Sequence, residues 1–257
     1  MEIKEYVKKV KNNLRSKVSD EWRPQMAIVQ VGNNEASNRY IRNKIKDCEE
    51  VGAIAHHYHY EETITTEELV WEIEDLAKHY HGLIVQLPIP AHLDKERVLG
   101  AIPREKDLDG LGLGGAFRPA TPLGILRWLK DDGFEFEGKK AVVIGRSELV
   151  GRPMAQMLLD ENMTVSICHS RTKREDLEKL VADADLVVCA VGKANFLDAT
   201  GLKAVVVDVG INFVDGKLVG DVCGENPRKT PVPGGVGLLT RVALLENLFE
   251  AASVSFS

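Results

Sequence analysis

A serine, a tyrosine and a lysine are spaced so that one helix face would present all three. In the segment SNRYIRNKIKDCEEVG, Ser37 precedes Tyr40 by three residues and Lys44 follows it by four. Residues three or four apart are neighbours on a helix surface. The face then carries both an aromatic ring and an amine, which makes it a candidate catalytic surface. An amphipathic helix with a packed tyrosine and a surface lysine has the same spacing.

Two more polar features fit a site in the same half of the chain. Gln86 closes the apolar segment GLIVQLP, and ligands of open α/β sheets bind at the carboxyl ends of strands. The loop KDLDG contributes Asp107 and Asp109. These carboxylates are also compatible with ordinary solvated turn residues.

A glycine turn in the second half of the chain predicts a nucleotide site. The segment GRSELVG (145–151) follows the apolar strand AVVI and precedes the helical pattern RPMAQMLL. A tight turn that opens a helix N-terminus can hold a pyrophosphate. The spacing departs from G-x-G-x-x-G, because Ser147 replaces the second glycine and Gly151 comes one residue late. A glycine turn that only joins a strand to a helix is the alternative.

The end of the next strand indicates which dinucleotide would bind. NAD enzymes place Asp or Glu there, against the ribose 2′-hydroxyl. This chain instead has CHSRT (168–172), with Ser170 and Arg171, and Arg146 lies on the neighbouring turn. Guanidinium and hydroxyl groups suit a 2′-phosphate, which favours NADP. Two solvated surface arginines would be the simpler explanation.

The elements that position these residues alternate between strand and helix. Strand patterns at QMAIVQVG, AIAHHYHY and GLIVQLP enclose helices near 35–51 and 66–80, which gives βαβαβ. An irregular Gly/Pro-rich stretch, 103–122, precedes the second strand set KKAVVIG, MTVSIC, ADLVVCAVG and KAVVVDVG. Their apolar runs predict parallel sheets covered on both faces. A last helix, near 239–251, is free to pack back on the first domain.

Composition limits the classes of protein that are compatible. The chain of 257 residues has 44% hydrophobic and 28% charged residues, which predicts a globular protein with two α/β domains. A net charge of −6 argues against nucleic-acid binding. No apolar run approaches a membrane span, and the N-terminal pattern is not that of a secretory signal. Four scattered cysteines predict reduced thiols in a cytoplasmic protein.

Taken together, the motifs resemble one family, the bifunctional methylenetetrahydrofolate dehydrogenase/cyclohydrolases. The matching segments occur in family order over about nine-tenths of the chain. They are VGNNEASNRYIRNKIKDCEEVG, GLIVQLPIP, DLDG, ATPLGI, VVIGRSELVGRPMA, ICHSRT, ADLVVCAVG, VVVDVGIN, GDV and TPVPGGVGLLT.

The resemblance implies a two-domain α/β fold: an N-terminal catalytic domain and a Rossmann-like parallel-sheet domain that binds NADP, with a cleft between them. It implies a folate-binding domain of residues 1–121 with 239–257 and a nucleotide domain of residues 122–238. It also implies a homodimer. The implied reactions are oxidation of 5,10-methylenetetrahydrofolate and hydrolysis of the methenyl product to 10-formyltetrahydrofolate.

The resemblance also assigns roles to individual residues. Lys44 is expected to be the catalytic lysine, Tyr40 to stack on the folate, Gln86 to hydrogen-bond Lys44 and Asp109 to grip the pterin. The wider substrate-binding set adds Ser37, Val85, Leu87, Pro233, Gly234, Gly235 and Gly237. The expected NADP contacts are Gly145, Arg146, Ser147, Ser170, Arg171 and Ile211.

The chain departs from the family pattern at several places. The loop between Asp109 and Thr121 is shorter than usual, Ala120 replaces a common cysteine, and Leu238-Leu239 replaces Pro-Met. Cys223-Gly224 follows GDV where an acidic residue is common. These changes concern the walls of the pocket and the balance of the two activities.

Two other interpretations compete with the folate enzyme. A shikimate-type NADP dehydrogenase shares the nucleotide-domain logic but lacks the Tyr40-x-x-x-Lys44, VQLP and DLDG combination. An inactive nucleotide-binding regulator is disfavoured by the retained Lys44 and Asp109. Three histidines, His56, His57 and His59, crowd one segment. In a strand His57 and His59 share a face but lack a third ligand at a fixed spacing, which favours solvated histidines on an edge strand over a metal site.

Overall fold

The computed structural model describes residues 2–112 and 115–254, and the chain forms two compact units. The first unit comprises Lys8–Ala120 and Arg241–Ser257, and the second comprises Met1–Val7 and Thr121–Thr240. All three chain boundaries between the units fall within helices. The described residues form two larger parallel sheets, as the apolar strand patterns predict.

The first unit is an α/β layer around a three-stranded parallel sheet of order β2-β1-β3. Its elements alternate along the chain, apart from a short additional helix after the third strand. They are α1 (Ile3–Arg15), β1 (Gln25–Val31), α2 (Glu35–Val51), β2 (Ile54–Tyr60), α3 (Thr66–His79), β3 (Gly82–Val85) and α4 (Lys95–Gly100).

The alternation of side chains along β1 and β3 builds a core on each face of this sheet. Met26, Ile28 and Ile84 point to one face, where α1 and α2 pack. Leu244 and other residues from the end of the chain join this core. The opposite face carries Ala27, Val29, Val31, Leu83 and Val85, against α3 and α4.

The helix α2 has clear start and stop signals. Asn34 caps its N-terminus by accepting a hydrogen bond from the Ser37 amide at 3.1 Å, and Gly52 ends it in the left-handed conformation. Its apolar stripe, Ile41 and Cys48, is buried in the core. Burial of this stripe fixes the rotation of the helix and so directs its polar face away from the core.

The second unit contains a four-stranded parallel sheet of order β5-β4-β6-β8. The helices α6 and α7 alternate with its first three strands. The elements are α5 (Ala120–Asp131), β4 (Lys140–Ile144), α6 (Gly151–Asp160), β5 (Thr164–Cys168), α7 (Arg174–Ala182), β6 (Leu186–Cys189), β7 (Leu197–Asp198), β8 (Val205–Asp208), β9 (Asn212–Val214), β10 (Lys217–Val219), β11 (Val222–Cys223) and α8 (Val236–Val254).

Small strand pairs complete the second unit. The strands β9 and β10 form an antiparallel hairpin, and β11 pairs with β7 in parallel. One core of the main sheet joins Val142, Ile144 and Val187 with Leu177 and Val181 of α7. The turns after β4, β6 and β8 leave the sheet at its carboxyl edge, because these strands are parallel.

Candidate functional site

The polar face of α2 holds the lysine and tyrosine that the sequence singles out. Lys44 and Tyr40 lie one helical turn apart; the Tyr40 residue is 39% exposed, and the Lys44 side chain is only 13% exposed. Ser37 lies on the same helix but is buried. The helix therefore offers an accessible ring beside a largely enclosed amine.

The strand β3 brings Gln86 to the Lys44 amine. The Gln86 amide nitrogen of the main chain donates to the Val29 carbonyl at 2.8 Å, which extends the pairing of β3 with β1 by one residue. Lys44 Nζ donates to Gln86 Oε1 at 3.2 Å, and Gln86 Nε2 donates to the Leu87 carbonyl at 2.8 Å. The second bond fixes the amide so that its oxygen faces the lysine.

Asp109 is the third member of this cluster. Its Oδ2 lies 3.8 Å from Lys44 Nζ, and its side chain is 19% exposed. The loop that carries it runs beside β3, because Leu83 pairs in parallel with Asp107 through bonds to the Lys106 carbonyl and the Leu108 amide. The parallel pairing therefore places Asp109 near the end of β3, where Gln86 lies.

The interpretation of Asp107 as a solvated turn residue is wrong. Asp107 is 2% exposed, and its carboxylate accepts from the Gly110 amide at 3.1 Å and the Gly112 amide at 2.6 Å. Burial raises the pKa of Asp107 above its ordinary value, and the backbone hydrogen bonds partly oppose the shift. Asp107 shapes the turn that follows Asp109.

A buried polar network supports the start of α2, and sequence reasoning missed it. Gln30 is 2% exposed within β1, where residues 26–29 and 31 are apolar. Its Nε2 donates to Asn38 Oδ1 at 2.8 Å, and its Oε1 accepts from His57 Nε2 at 2.8 Å. Asn38 precedes Tyr40 by two residues. The signal that identified Gln86, a polar side chain in an apolar strand, also marks Gln30.

The glycine turn after β4 is closely packed. Gly145 has a φ of +123°, and a side chain there would collide with the Ala190 carbonyl. A side chain on Gly151 would collide with the Gly145 carbonyl. Only glycine fits at either position, which explains why both ends of the turn are glycine.

Ser147 stabilises this turn from within. Its hydroxyl accepts from the Val150 amide at 3.2 Å and the Gly151 amide at 3.3 Å, and its carbonyl accepts from Arg152. Amides at the start of α6 therefore already have protein partners. A pyrophosphate bound there would share or replace two long hydrogen bonds.

The expected 2′-phosphate residues flank the carboxyl ends of two paired strands. Ile144 and Cys168 are partners in the β4–β5 pairing, so the turn with Arg146 and the loop with Ser170 and Arg171 leave the sheet side by side. These three residues are exposed. Exposed guanidinium groups and a glycine turn are compatible with NADP, and no carboxylate lies between residues 168 and 172.

The remaining predicted ligand contacts are distributed over both units. Ile211 is 47% exposed at the start of the β9–β10 segment. The loop with Pro233, Gly234, Gly235 and Gly237 directly precedes and begins α8. A side chain on Gly235 would collide with the Pro231 carbonyl. Val85 is buried in β3, and Leu87 is half-buried after it.

The three histidines of β2 have protein partners. His57 contacts Gln30, His59 Nε2 lies 3.0 Å from the Gly32 carbonyl, and His56 Nδ1 lies 2.7 Å from the Tyr80 hydroxyl. The strand is at the sheet edge, but these histidines are not simply solvated. Within residues 2–112 and 115–254, no group of three His, Cys, Asp or Glu could hold a metal.

Two further findings concern the described part of the chain as a whole. Of its helices, none has the length and apolarity that crossing a membrane requires. The cysteines are unpaired, and Cys48, Cys168 and Cys189 are buried. Burial raises the pKa of the Cys48 thiol to about 12, so this side chain is unreactive at neutral pH.

Comparison with known proteins identifies the family of each half of the chain. The catalytic-domain model of tetrahydrofolate dehydrogenase/cyclohydrolase matches residues 1–109, and its NAD(P)-binding-domain model matches residues 119–256. A bifunctional protein FolD of Burkholderia ambifaria is 46% identical over 248 residues, which cover 89% of this chain and 86% of the relative. The FolD of Polaromonas is also 46% identical, with coverages of 89% and 88%.

Solved structures give the same result. The bifunctional FolD enzyme from Campylobacter jejuni is 41% identical, with a TM-score of 0.85 over 98% of this chain and 95% of that one. The Trypanosoma brucei FolD, solved with NADP and an inhibitor, is 30% identical, with a TM-score of 0.89 over 100% and 97% of the two chains. On these matches, the chain belongs to the tetrahydrofolate dehydrogenase/cyclohydrolase family.

Proposed function

We propose that this protein oxidises 5,10-methylenetetrahydrofolate with NADP and then hydrolyses the 5,10-methenyl product to 10-formyltetrahydrofolate. The observation that carries the proposal is the Lys44 amine, which lies against Gln86 and Asp109 in a family that has this pair of activities. The first step is an oxidoreduction and the second a hydrolysis. One folate site serves both.

The first unit would bind the folate through complementary groups. Asp109 can accept two parallel hydrogen bonds from the ring N–H and the exocyclic amine of the pterin. The exposed ring of Tyr40 offers a flat surface for stacking and can stabilise positive charge that develops above it. Residues 85–87 would form the adjacent wall, with the remaining substrate contacts from Ser37 and the 233–237 loop.

Lys44 would move the protons. The methenyl carbon is cationic, so a neighbouring ammonium is repelled, and the amine must be neutral for part of the cycle. The neutral amine can then take a proton from the attacking water or from the carbinolamine as it collapses. Gln86 holds the amine in place without adding a charge, because its amide orientation is fixed by the Leu87 carbonyl.

The second unit would hold NADP, whose nicotinamide would supply the hydride acceptor for the methylene carbon. Gly145 would let the chain approach the pyrophosphate closely, with Ser147 and Ile211 as further contacts. Arg146, Ser170 and Arg171 would surround the 2′-phosphate. An NAD enzyme would place a carboxylate at this strand end, and this segment has none.

A homodimer in the cytoplasm, built through the second unit, is part of the proposal. The strand β5 is an edge strand of its sheet, and Ile167 on it is 45% exposed. Leu159 on α6 is 55% exposed. An unpaired edge with exposed apolar side chains is a surface that a second copy can cover.

The test combines both reactions. Purified protein, NADP and methylenetetrahydrofolate should give NADPH and methenyl absorbance, and NAD should give a much lower rate. Lys44→Met should abolish hydrolysis and leave NADP binding intact. Lys46→Met is the matched control, because Lys46 lies on the exposed side of the same helix. Hydrolysis retained in Lys44→Met, or equal rates with NAD, would overturn the corresponding part of the proposal.

A further inference from the structure

Two buried carboxylates lie at the carboxyl edge of the second sheet, and the mechanism above uses neither. Asp208 ends β8 and is 2% exposed, whereas Asp221 precedes β11 and is fully buried. A buried carboxylate is costly unless hydrogen bonds compensate its charge. The donors to each of them therefore indicate what each one holds in place.

Asp221 gathers three consecutive main-chain amides. Its Oδ2 accepts from Val191 at 2.7 Å and Gly192 at 2.8 Å, and its Oδ1 accepts from Lys193 at 2.8 Å. Successive amides that converge in this way form an anion-binding nest. Here an anion of the chain itself occupies the nest, and it fixes the loop that follows β6.

The same carboxylate also holds the segment after β8. Asn212 Nδ2 donates to Asp221 Oδ1 at 2.9 Å, and Asn212 directly follows Ile211. A side chain on Gly210 would collide with the Asp221 carboxylate. The glycine thus makes room for the acid, and the acid ties together loops from two neighbouring strands.

Asp208 holds the main chain at Asp221 in place. It accepts from the main-chain amides of Asp221 at 2.9 Å and Val222 at 3.0 Å. A side chain on Gly220 would collide with the Asp208 carboxylate. The order of support therefore runs from Asp208 to Asp221 and then to the two loops.

These loops border the glycine turn. The carbonyl of Ala190, next to Val191, occupies the space that a side chain on Gly145 would need. The Ala190 amide donates to the Ile144 carbonyl at 2.8 Å, and the Val209 amide donates to the Cys189 carbonyl at 2.9 Å. The turns after β4, β6 and β8 thus form one continuous edge.

We propose that Asp221 is a positioning residue for NADP, which it serves by holding residues 191–193 and 211–212 against the Gly145 turn. The proposal rests on the proposed NADP-dependent function. An asparagine at position 221 has one acceptor oxygen, and its NH₂ group would oppose the amides that now donate to the carboxylate. The loops would then separate, and nucleotide affinity would fall without loss of any group that touches the folate.

The experiment measures NADPH binding by fluorescence titration of the full chain, independently of turnover. Asp221→Asn should raise the Kd for NADPH by about tenfold or more, and Asn212→Ala by about threefold. Asp185→Asn is the matched control, because Asp185 accepts from the Lys140 amide at 2.8 Å on the opposite edge of the same sheet. Its Kd should stay within about twofold of the original.

A kinetic comparison separates positioning from simple destabilisation. Partial unfolding would lower every rate equally and leave KM values unchanged. If Asp221 is a positioning residue, Asp221→Asn should instead raise the KM for NADP. Its KM for methylenetetrahydrofolate and its hydrolysis rate without nucleotide should stay within about twofold of those of the unsubstituted protein.

Each outcome decides the proposal. An unchanged Kd in both Asp221→Asn and Asn212→Ala would overturn it, and if Asp221→Asn does not fold, Asn212→Ala decides alone. If the unsubstituted protein binds NADPH but does not oxidise the folate, the proposed function is refuted. The Kd values for NADPH then decide the role of Asp221. A chain that binds no NADPH overturns both.

Discussion

Lys44 Nζ and Gln86 Oε1 lie 3.2 Å apart, although 42 residues separate them in the sequence. The first belongs to the polar face of α2 and the second to the end of β3. Helix α2, which packs on the sheet, and strand β3 of that sheet therefore bring an amine and an amide together. The first prediction concerns this pair.

Gln86→Leu should slow hydrolysis of the methenyl substrate by about a hundredfold, because the amine loses its only amide acceptor in the cluster and its orientation. NADPH binding should be unchanged. The measurement is the decay of methenyl absorbance. Gln156→Leu is the control, since Gln156 donates to Asp160 on the exposed side of α6. A rate in Gln86→Leu equal to that of the control would remove Gln86 from the mechanism.

Cofactor choice should depend on Arg171. Arg171→Gln should raise the KM for NADP by about tenfold, because one charge-assisted hydrogen bond to the 2′-phosphate is lost. The KM for NAD should be unchanged. Steady-state rates with both nucleotides give the answer. Arg174→Gln is a nearby control, because Arg174 is paired with Glu178 at 2.7 Å. Equal effects on NADP and NAD would contradict a 2′-phosphate contact.

An ion network should stabilise the first unit. Asp47, with a side chain 4% exposed, lies 2.5 Å from Lys11 Nζ and 3.2 Å from Arg241 Nε. Asp47→Asn should lower the free energy of unfolding by about 3 kcal/mol, because Arg241 loses this largely buried partner and Lys11 keeps its pair with Glu50 but loses the one with Asp47. Asp75→Asn, at an exposed pair with Lys78, should cost about 0.5 kcal/mol or less. Urea unfolding measures the free energy of unfolding of both variants. Similar losses in Asp47→Asn and Asp75→Asn would contradict the prediction.

Acid stability should depend on His57. Burial lowers the pKa of His57 below its ordinary value of 6.5, and the charge of His59 lowers it further. Because the folded-state pKa lies below the unfolded one, the contribution of His57 is present above pH 6.5 and is lost as the pH falls through the folded pKa. His57→Gln keeps a donor for Gln30 and cannot be protonated.

The stability profile of His57→Gln should therefore be flatter than that of the original chain when unfolding is measured from pH 7.5 down to about pH 5. His79→Gln provides the control, since the His79 side chain is 66% exposed on α3. Parallel profiles for all three chains would show that His57 does not carry the acid sensitivity.

The sequence predicts the alternating elements and singles out Tyr40, Lys44 and Gln86, whereas Asp109 is assigned by the family resemblance. The signals of the first three residues are local: a four-residue spacing between Tyr40 and Lys44, and a polar residue at the end of an apolar strand. The helix predicted near 35–51 coincides with α2. The short strands β7, β9, β10 and β11 were not predicted, because segments of two or three residues carry no clear periodicity.

The structural roles of the buried acids depend on contacts between distant segments. The bond of Asp221 to the Val191 amide joins residues that are 30 positions apart, and it forms because Asp208, at the end of the β6 neighbour β8, accepts from the Asp221 amide. Strand order of this kind is not encoded in any short motif. For the same reason, the sequence did not distinguish the buried Asp107 from Asp109 two residues later.

The parallel pairing of Leu83 with Asp107 bears on how the enzyme tolerates changes in length. The carboxylate of Asp109 takes its position from the segment upstream of it, which is bonded to β3. The segment after Asp109, which the family resemblance implies to be shorter than usual, lies downstream of that anchor. A shorter loop beyond Asp109 therefore leaves this pairing intact, whereas deleting Leu108, whose amide donates to the Leu83 carbonyl, would move the Asp109 carboxylate out of register with Lys44.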